Sequence, residues 1–449
     1  MKNQRDIFFR KPTTNPYRIF ILLLLIMGMI WLIRQVEQGN ITRPFTPTPT
    51  PTRVAQSYAL EGDAQFEAGK LDAAITAYQE ATRVDPTDAE VWAKLARIQT
   101  YSSTLLTTDD QQRDRLQEGL ASIEKAVELA PDDSVVYAIY AFVLDWNANS
   151  ILFGTDQAED YLLEAEQAAV RAIQLDNQNT LALAFYAEIL VDEQKWGQAE
   201  QYITQALDQD DSIMDVHRVY AYVLESLGQY NQAIQEYEKA LAISPNLTFL
   251  HLRAGANYRR LAFGSQNDET RTVLYESSLE YFAKAARLNQ QLGIEDPIPY
   301  LSIAKTYSQE GEYFIAARNV QRALEISPAN ADIYGQLGIV YFKSRNYEGS
   351  IPAFKCAIRG CTAEESCDGR GGCGPNDEPA DVVGLELSGS TVVYYYTYGS
   401  VLAALSRPKE NYCVEAMSIM GEVKSQFSDD RDIIGIVQAS EEICQSFEE

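Results

Sequence analysis

Met214–Pro245 reads MDVHRVYAYVLESLGQYNQAIQEYEKALAISP, and its spacing decides the fold. Apolar residues recur at three- and four-residue intervals on both sides of a break at Gly228, the pattern of two short amphipathic helices. The unit repeats. Ala187, Ala221 and Gly255 are separated by 34 residues, as are Ala199 and Ala233, Ala206 and Ala240, and the turn residues Asp211 and Pro245. Small residues at fixed positions allow two helices to cross closely, and bulky aromatics fill the space beside them.

The same pattern extends outward. Residues 58–86 carry Tyr58, Gly62, Gly69, Ala74, Tyr78, Ala81 and Pro86. Residues 300–328 carry Tyr300, Ala304, Tyr307, Gly311, Ala316, Ala323 and Pro328, and residues 334–357 carry Tyr334, Leu337, Gly338, Tyr341, Phe354 and Ala357. These units resemble the tetratricopeptide repeat (TPR). The resemblance implies an all-α, right-handed superhelical solenoid of about eight or nine helix-turn-helix repeats, near 55–88, 89–133, 134–179, 180–213, 214–247, 248–292, 297–330 and 331–358. Three units are eleven or twelve residues too long. Their extra residues, near 101–111, 146–157 and 263–271, are polar and are expected as loops between the two helices, open to a binding role or to none.

The resemblance also implies a concave groove lined by the first helix of each unit, helix A. Positions 2, 5, 9 and 12 of that helix map to Arg97, Phe142, Asp145, Glu188, Arg218, Tyr222, Arg259, Lys305 and Phe342. Arg97, Arg218, Arg259 and Lys305 are candidates to receive an acidic partner segment. Pairing of each Arg with a Glu of the adjacent unit is the alternative. The Lys and Asn positions of the family's carboxylate clamp are not reproduced.

Before the repeats, Ile19–Ile33 is an unbroken apolar run, which Tyr17, Arg18, Arg34 and Val36 extend to membrane-spanning length over 18–36. Residues 1–17 hold Lys2, Arg5, Arg10, Lys11 and Arg18 follows, against Asp6 alone, so the positive-inside rule leaves the N-terminus in the cytoplasm and the rest outside it. A cleavable signal peptide is the competing reading, opposed by the poor cleavage sequence from Arg34 to Gly39. Residues 37–53 form a Pro/Thr-rich linker whose alternation of Pro and Thr between Arg43 and Arg53 suits a semi-rigid polyproline II spacer.

All six cysteines follow residue 355, and an even count in an exported region suggests disulfides. Zinc fits poorly, because no tight C-x2-C pair occurs. Cys413 begins one terminal helix and Cys444 ends the next, so an antiparallel hairpin would bring them together. The pairing of Cys356, Cys361, Cys367 and Cys373 is open. Cys356 closes the last regular unit and the other three lie in a Cys/Gly-rich loop over 359–390, before a degenerate repeat and capping helix at 391–449. Val392–Tyr398 suits a helix A despite its strand propensity.

Of the 449 residues, 37 are Lys or Arg and 64 Asp or Glu, for a formal charge of −27. Eight basic and two acidic residues lie in the first 53, leaving 29 against 62 in the remainder. That balance argues against a nucleic-acid partner. His217 and His251, the two histidines, occupy the bulky packing position of helix A. No P-loop, GxGxxG, HExxH or GxSxG segment occurs, and no cofactor or metal is implied. The expected function is a non-catalytic scaffold for a protein partner, with a binding module for envelope glycan or another ligand as its rival and an accessory subunit of an envelope enzyme as a third reading.

Overall fold

The computed structural model describes residues 15–38, 53–106, 108–374 and 377–446. The chain divides into two units, Met1–Arg53 and Val54–Glu449. In the first, helix α1 (Pro16–Glu37) starts at Asn15, whose side chain accepts from the Tyr17 amide at 3.1 Å, with Pro16 pre-set in the first turn. Residues Pro16–Val36 are long and apolar enough to cross a membrane. The Pro/Thr alternation lies outside the described residues.

The second unit is a stack of helix pairs. They are α2 (Ala55–Glu67) with α3 (Leu71–Val84), α4 (Ala89–Ser103) with α5 (Asp109–Leu129), and α6 (Ser134–Asn147) with α7 (Ser150–Phe153) and α8 (Thr155–Leu175). Next come α9 (Thr180–Asp192) with α10 (Trp196–Gln209), α11 (Met214–Ser226) with α12 (Tyr230–Ile243), and α13 (Thr248–Gly264) with α14 (Asp268–Leu292). The array continues through α15 (Ile298–Glu310) with α16 (Tyr313–Ile326) and α17 (Ala331–Lys343) with α18 (Tyr347–Arg359). A short α19 (Ala363–Gly369), then α20 (Val392–Leu405), α21 (Cys413–Gln426) and α22 (Arg431–Gln445), complete it. Two isolated bridges are the only β pairing among the described residues.

The small residues sit where helices cross. A Cβ on Gly62 would lie 2.6 Å from the Tyr78 ring, one on Gly255 2.7 Å from Phe282, and one on Gly338 2.6 Å from Phe354. The turn inside a pair needs a left-handed residue, supplied by Gly69, Gly228 and Gly311 and, less favourably, by Gln194 and Arg345. Several turns between pairs end on an Asx cap: Asp88 accepts from the Val91 amide at 3.2 Å and Asn179 from Ala182 at 3.2 Å.

The three over-long units do not loop out. Their surplus is mainly helical, lengthening α5 and α8 to 21 residues and α14 to 25, against 14 for α10, α12 and α16. The polar residues that read as loop act instead as caps, Thr108 for α5 and Asn267 for α14. The amphipathic period then continues without a break.

Three disulfides pair Cys356 with Cys361, Cys367 with Cys373, and Cys413 with Cys444. Between the first two, α19 opens on a capping box of Thr362 and Glu365. Its buried Arg370 donates from Nε to Tyr334 Oη at 3.0 Å, pinning this segment on α17. Pro375 lies outside the described residues. Val392–Tyr398 is helical, within α20.

The solenoid coils tightly enough to touch itself. Asn246, between α12 and α13, donates to the Glu67 carbonyl at the end of α2 at 3.0 Å. Further along, Ser390 Oγ donates to Asp109 Oδ2 at 2.8 Å.

Candidate functional site

The inner helices of the first turn meet across the coil axis. Arg218 on α11 forms a fork with Glu188 on α9, at 2.7 and 2.6 Å. Tyr101, Phe142 and Trp146 ring its guanidinium at 5.4, 5.5 and 5.9 Å. The Trp146 indole N–H donates to the same Glu188 at 3.2 Å. Burial opposes the charge on Arg218, but Glu188 outweighs it and holds the guanidinium well above its ordinary pKa. Asp215, fully buried on α11, accepts from Arg97 and from Tyr101, both of them on α4. Tyr101 stacks on Phe249 of α13 at 5.0 Å.

A second layer lies beside the first. Tyr222 donates to Asp192 at 2.5 Å, and the buried Asp145 lies close enough to Asp192 for the two carboxyls to act on each other. Burial raises the pKa of both carboxyls, Asp192 to about 6, and Glu188 adds to the rise. Glu225 accepts from Tyr237 at 3.2 Å, from Asn257 at 2.9 Å and from Arg260. This half of the interior is closed by its own side chains.

Beyond α13 the groove opens and changes character. Arg259 donates to the Ser302 carbonyl at 3.2 Å and lies over the Phe282 ring at 5.3 Å. Among the described residues no carboxylate comes within ion-pair distance of Arg259, Lys305 or Lys343. Burial, then Arg260, pushes Arg259 down to about 10. Burial and the neighbouring Arg259, Arg260 and Lys343 lower Lys305 as well. Phe342, 37% exposed, packs on Tyr347 at 5.7 Å.

Arg97, Phe142, Asp145, Glu188 and Arg218 are therefore gathered into the closed half, with Tyr222 at its edge. Arg259, Lys305 and Phe342 lie in the open half. Asp215 sits at position 2 of α11 and Tyr101 one turn beyond Arg97, so the 34-residue register reaches both. Their meeting across 114 residues has no sequence signal. His217 is buried between Glu236, at 2.7 Å, and the Asp211 carbonyl, at 2.8 Å. His251 lies 3.1 Å from the Pro245 carbonyl. Among the described residues no group of three or more His, Cys, Asp or Glu side chains could hold a metal ion.

Tetratricopeptide-repeat family models match residues 62–99 and 187–247. Together with the stacked pairs, they make this chain a tetratricopeptide-repeat protein. The antiviral innate immune response effector IFIT1 of Homo sapiens is 24% identical over 241 residues, 51% of this chain and 48% of that protein. The chain thus matches about half the length of that relative. The human IFIT1 dimer with PPP-AAAA superposes with a TM-score of 0.54 at 17% identity, covering 88% of this chain and 91% of that one. The dimer with m7Gppp-AAAA gives 0.50 at 17%, covering 87% and 90%. At such identities the likeness shows the fold.

Proposed function

We propose that the chain is a non-catalytic scaffold, tethered to a membrane by α1, which receives an acidic segment of a protein partner in the open half of its groove. One observation carries this reading: Arg259, Lys305 and Lys343 are crowded together without a carboxylate, in a chain of formal charge −27. Desolvated like charges repel, and an anionic partner relieves the repulsion. Phe342 offers an apolar contact beside them. The basic flank before α1 and the three disulfides support a solenoid outside the cytoplasm.

Oligonucleotides such as those with the human IFIT1 dimers suit this chain poorly. The chain's net charge repels a phosphate backbone, and its first-turn arginines are committed to Glu188, Asp215 and Glu225.

The test is crosslinking in native membranes, with peptide mapping, of wild type against Arg259→Glu plus Lys305→Glu. An acidic partner peptide joined to α13, α15 or α17 and lost in the variant is the expected result. Crosslinks confined to α5, α8 or the disulfide-bonded cap would move the interface and overturn the groove assignment. If a protected glycan or a PPP-AAAA oligonucleotide occupies the groove instead, the scaffold reading fails.

A further inference from the structure

The apolar core of the solenoid is interrupted. One cluster of buried side chains runs from Ala59 to Ala254 and a second from Leu301 to Cys444, while Tyr275, Phe282 and Ala285 of α14 are buried outside both. From α3 to α17 the connections between pairs have four residues, except that after α14, Gly293–Pro297, which has five and follows the longest helix of the solenoid. The extra residue falls where the two clusters part.

A cavity of about 370 Å³ fills the breach. Leu279 of α14, Ile303 and Tyr307 of α15 and Ile315 of α16 give it an apolar floor, and Arg318 and Arg322, one turn apart on α16, stand at its rim. Elsewhere, exposed cations on these helices find acids one turn away: Arg83 reaches Glu80 at 2.6 Å, Arg113 Asp110 at 2.7 Å and Lys125 Glu128 at 2.6 Å. Among the described residues neither Arg318 nor Arg322 has such a partner, although Glu325 is three residues from Arg322.

We propose that this breach is a binding site for one single-chain amphiphilic anion, its apolar part on Leu279, Ile303, Tyr307 and Ile315 and its carboxylate or phosphate on Arg318 and Arg322. The volume is at the small end of ligand pockets, so it admits a medium-length chain or one ring. Two guanidiniums a turn apart fit the oxygens of one head group. The site is separate from the groove of Arg259 and Lys305 and does not depend on its role.

The test is photo-labelling of the full-length chain with diazirine-bearing decanoate and, separately, decyl phosphate, with labelled peptides mapped by mass spectrometry. Saturable labelling around Ile303, Tyr307 and Ile315 is expected, displaced by unlabelled decanoate but not by decylamine or inorganic phosphate. Arg318→Gln plus Arg322→Gln should weaken labelling by at least about tenfold, in line with the loss of hydrogen bonds to a charged group. An unchanged circular-dichroism melt would show that the variant folds. Arg259→Gln plus Lys305→Gln should leave labelling unchanged. Equal labelling by an amine probe, label confined to α1, or displacement by phosphate alone would overturn the proposal. Labelling by a phosphatidate vesicle but by neither monomeric probe would also overturn it, since it would show a bilayer surface and no site for a single amphiphile.

Discussion

The two halves of the solenoid use their inner helices for opposite ends. Position 9 of α9 and position 5 of α11 place Glu188 and Arg218, which meet each other; on α13, α15 and α17, Arg259, Lys305 and Lys343 meet no carboxylate at ion-pair distance among the described residues. The first half coils until α4 reaches α11 and α13, so Arg97 and Arg218 find buried carboxylates. Past α14 the chain meets the first turn where Ser390 reaches Asp109, while Lys305 and Lys343 have no carboxylate within ion-pair distance among the described residues. Closure, more than composition, separates a structural arginine from one free to bind.

The largest effect should follow from breaking the closed half. Glu188→Ala leaves Arg218 buried without its carboxylate, at a cost of about 3–5 kcal/mol. Chemical unfolding should lose stability in the first core and leave the second little changed. If both cores lose stability together, they are one cooperative unit.

The C-terminal end sharpens the comparison from the other side. Cys413→Ser removes a bridge spanning 31 residues, with an expected loss of about 3–4 kcal/mol confined to the second core. Protease mapping should place the new cleavages in α21 and α22.

Arg259→Gln plus Lys305→Gln should do the reverse of Glu188→Ala. Removing mutually repelling charges leaves the melting temperature unchanged or slightly raised, while affinity for an acidic partner segment falls on the order of ten- to a hundredfold. A variant that melts earlier would show these cations to be structural.

The smallest effect is one of pH. Asp192, pushed up to about 6, binds its proton more tightly in the folded chain than in the unfolded one, so stability rises as pH falls from about 6 towards the ordinary carboxylate range. Asp192→Asn should flatten that slope in melts run between pH 7 and 4. An unchanged slope would assign it to other groups.

Much of this was legible in the chain before folding. The 34-residue register fixes which residues lie where helices cross, because a Cβ at Gly62, Gly255 or Gly338 would collide with an aromatic ring. It also identifies the helix A positions facing inward, and the apolar run of α1 stands out by length alone. The over-long units were harder. Thr108 and Asn267 have the residue types of loops and act as helix caps, and local composition does not distinguish the two.

What only the tertiary structure decided is which inward charges are used up. Arg97 and Asp215 lie 118 residues apart, and their contact depends on the pitch of the coil, the sum of small rotations over several repeats. The same coil brings Arg218 to a carboxylate and Arg259 only to the Ser302 carbonyl. Periodicity is a property of neighbours in sequence and survives in a single chain. Pitch is a property of many packed interfaces and exists only once they have formed.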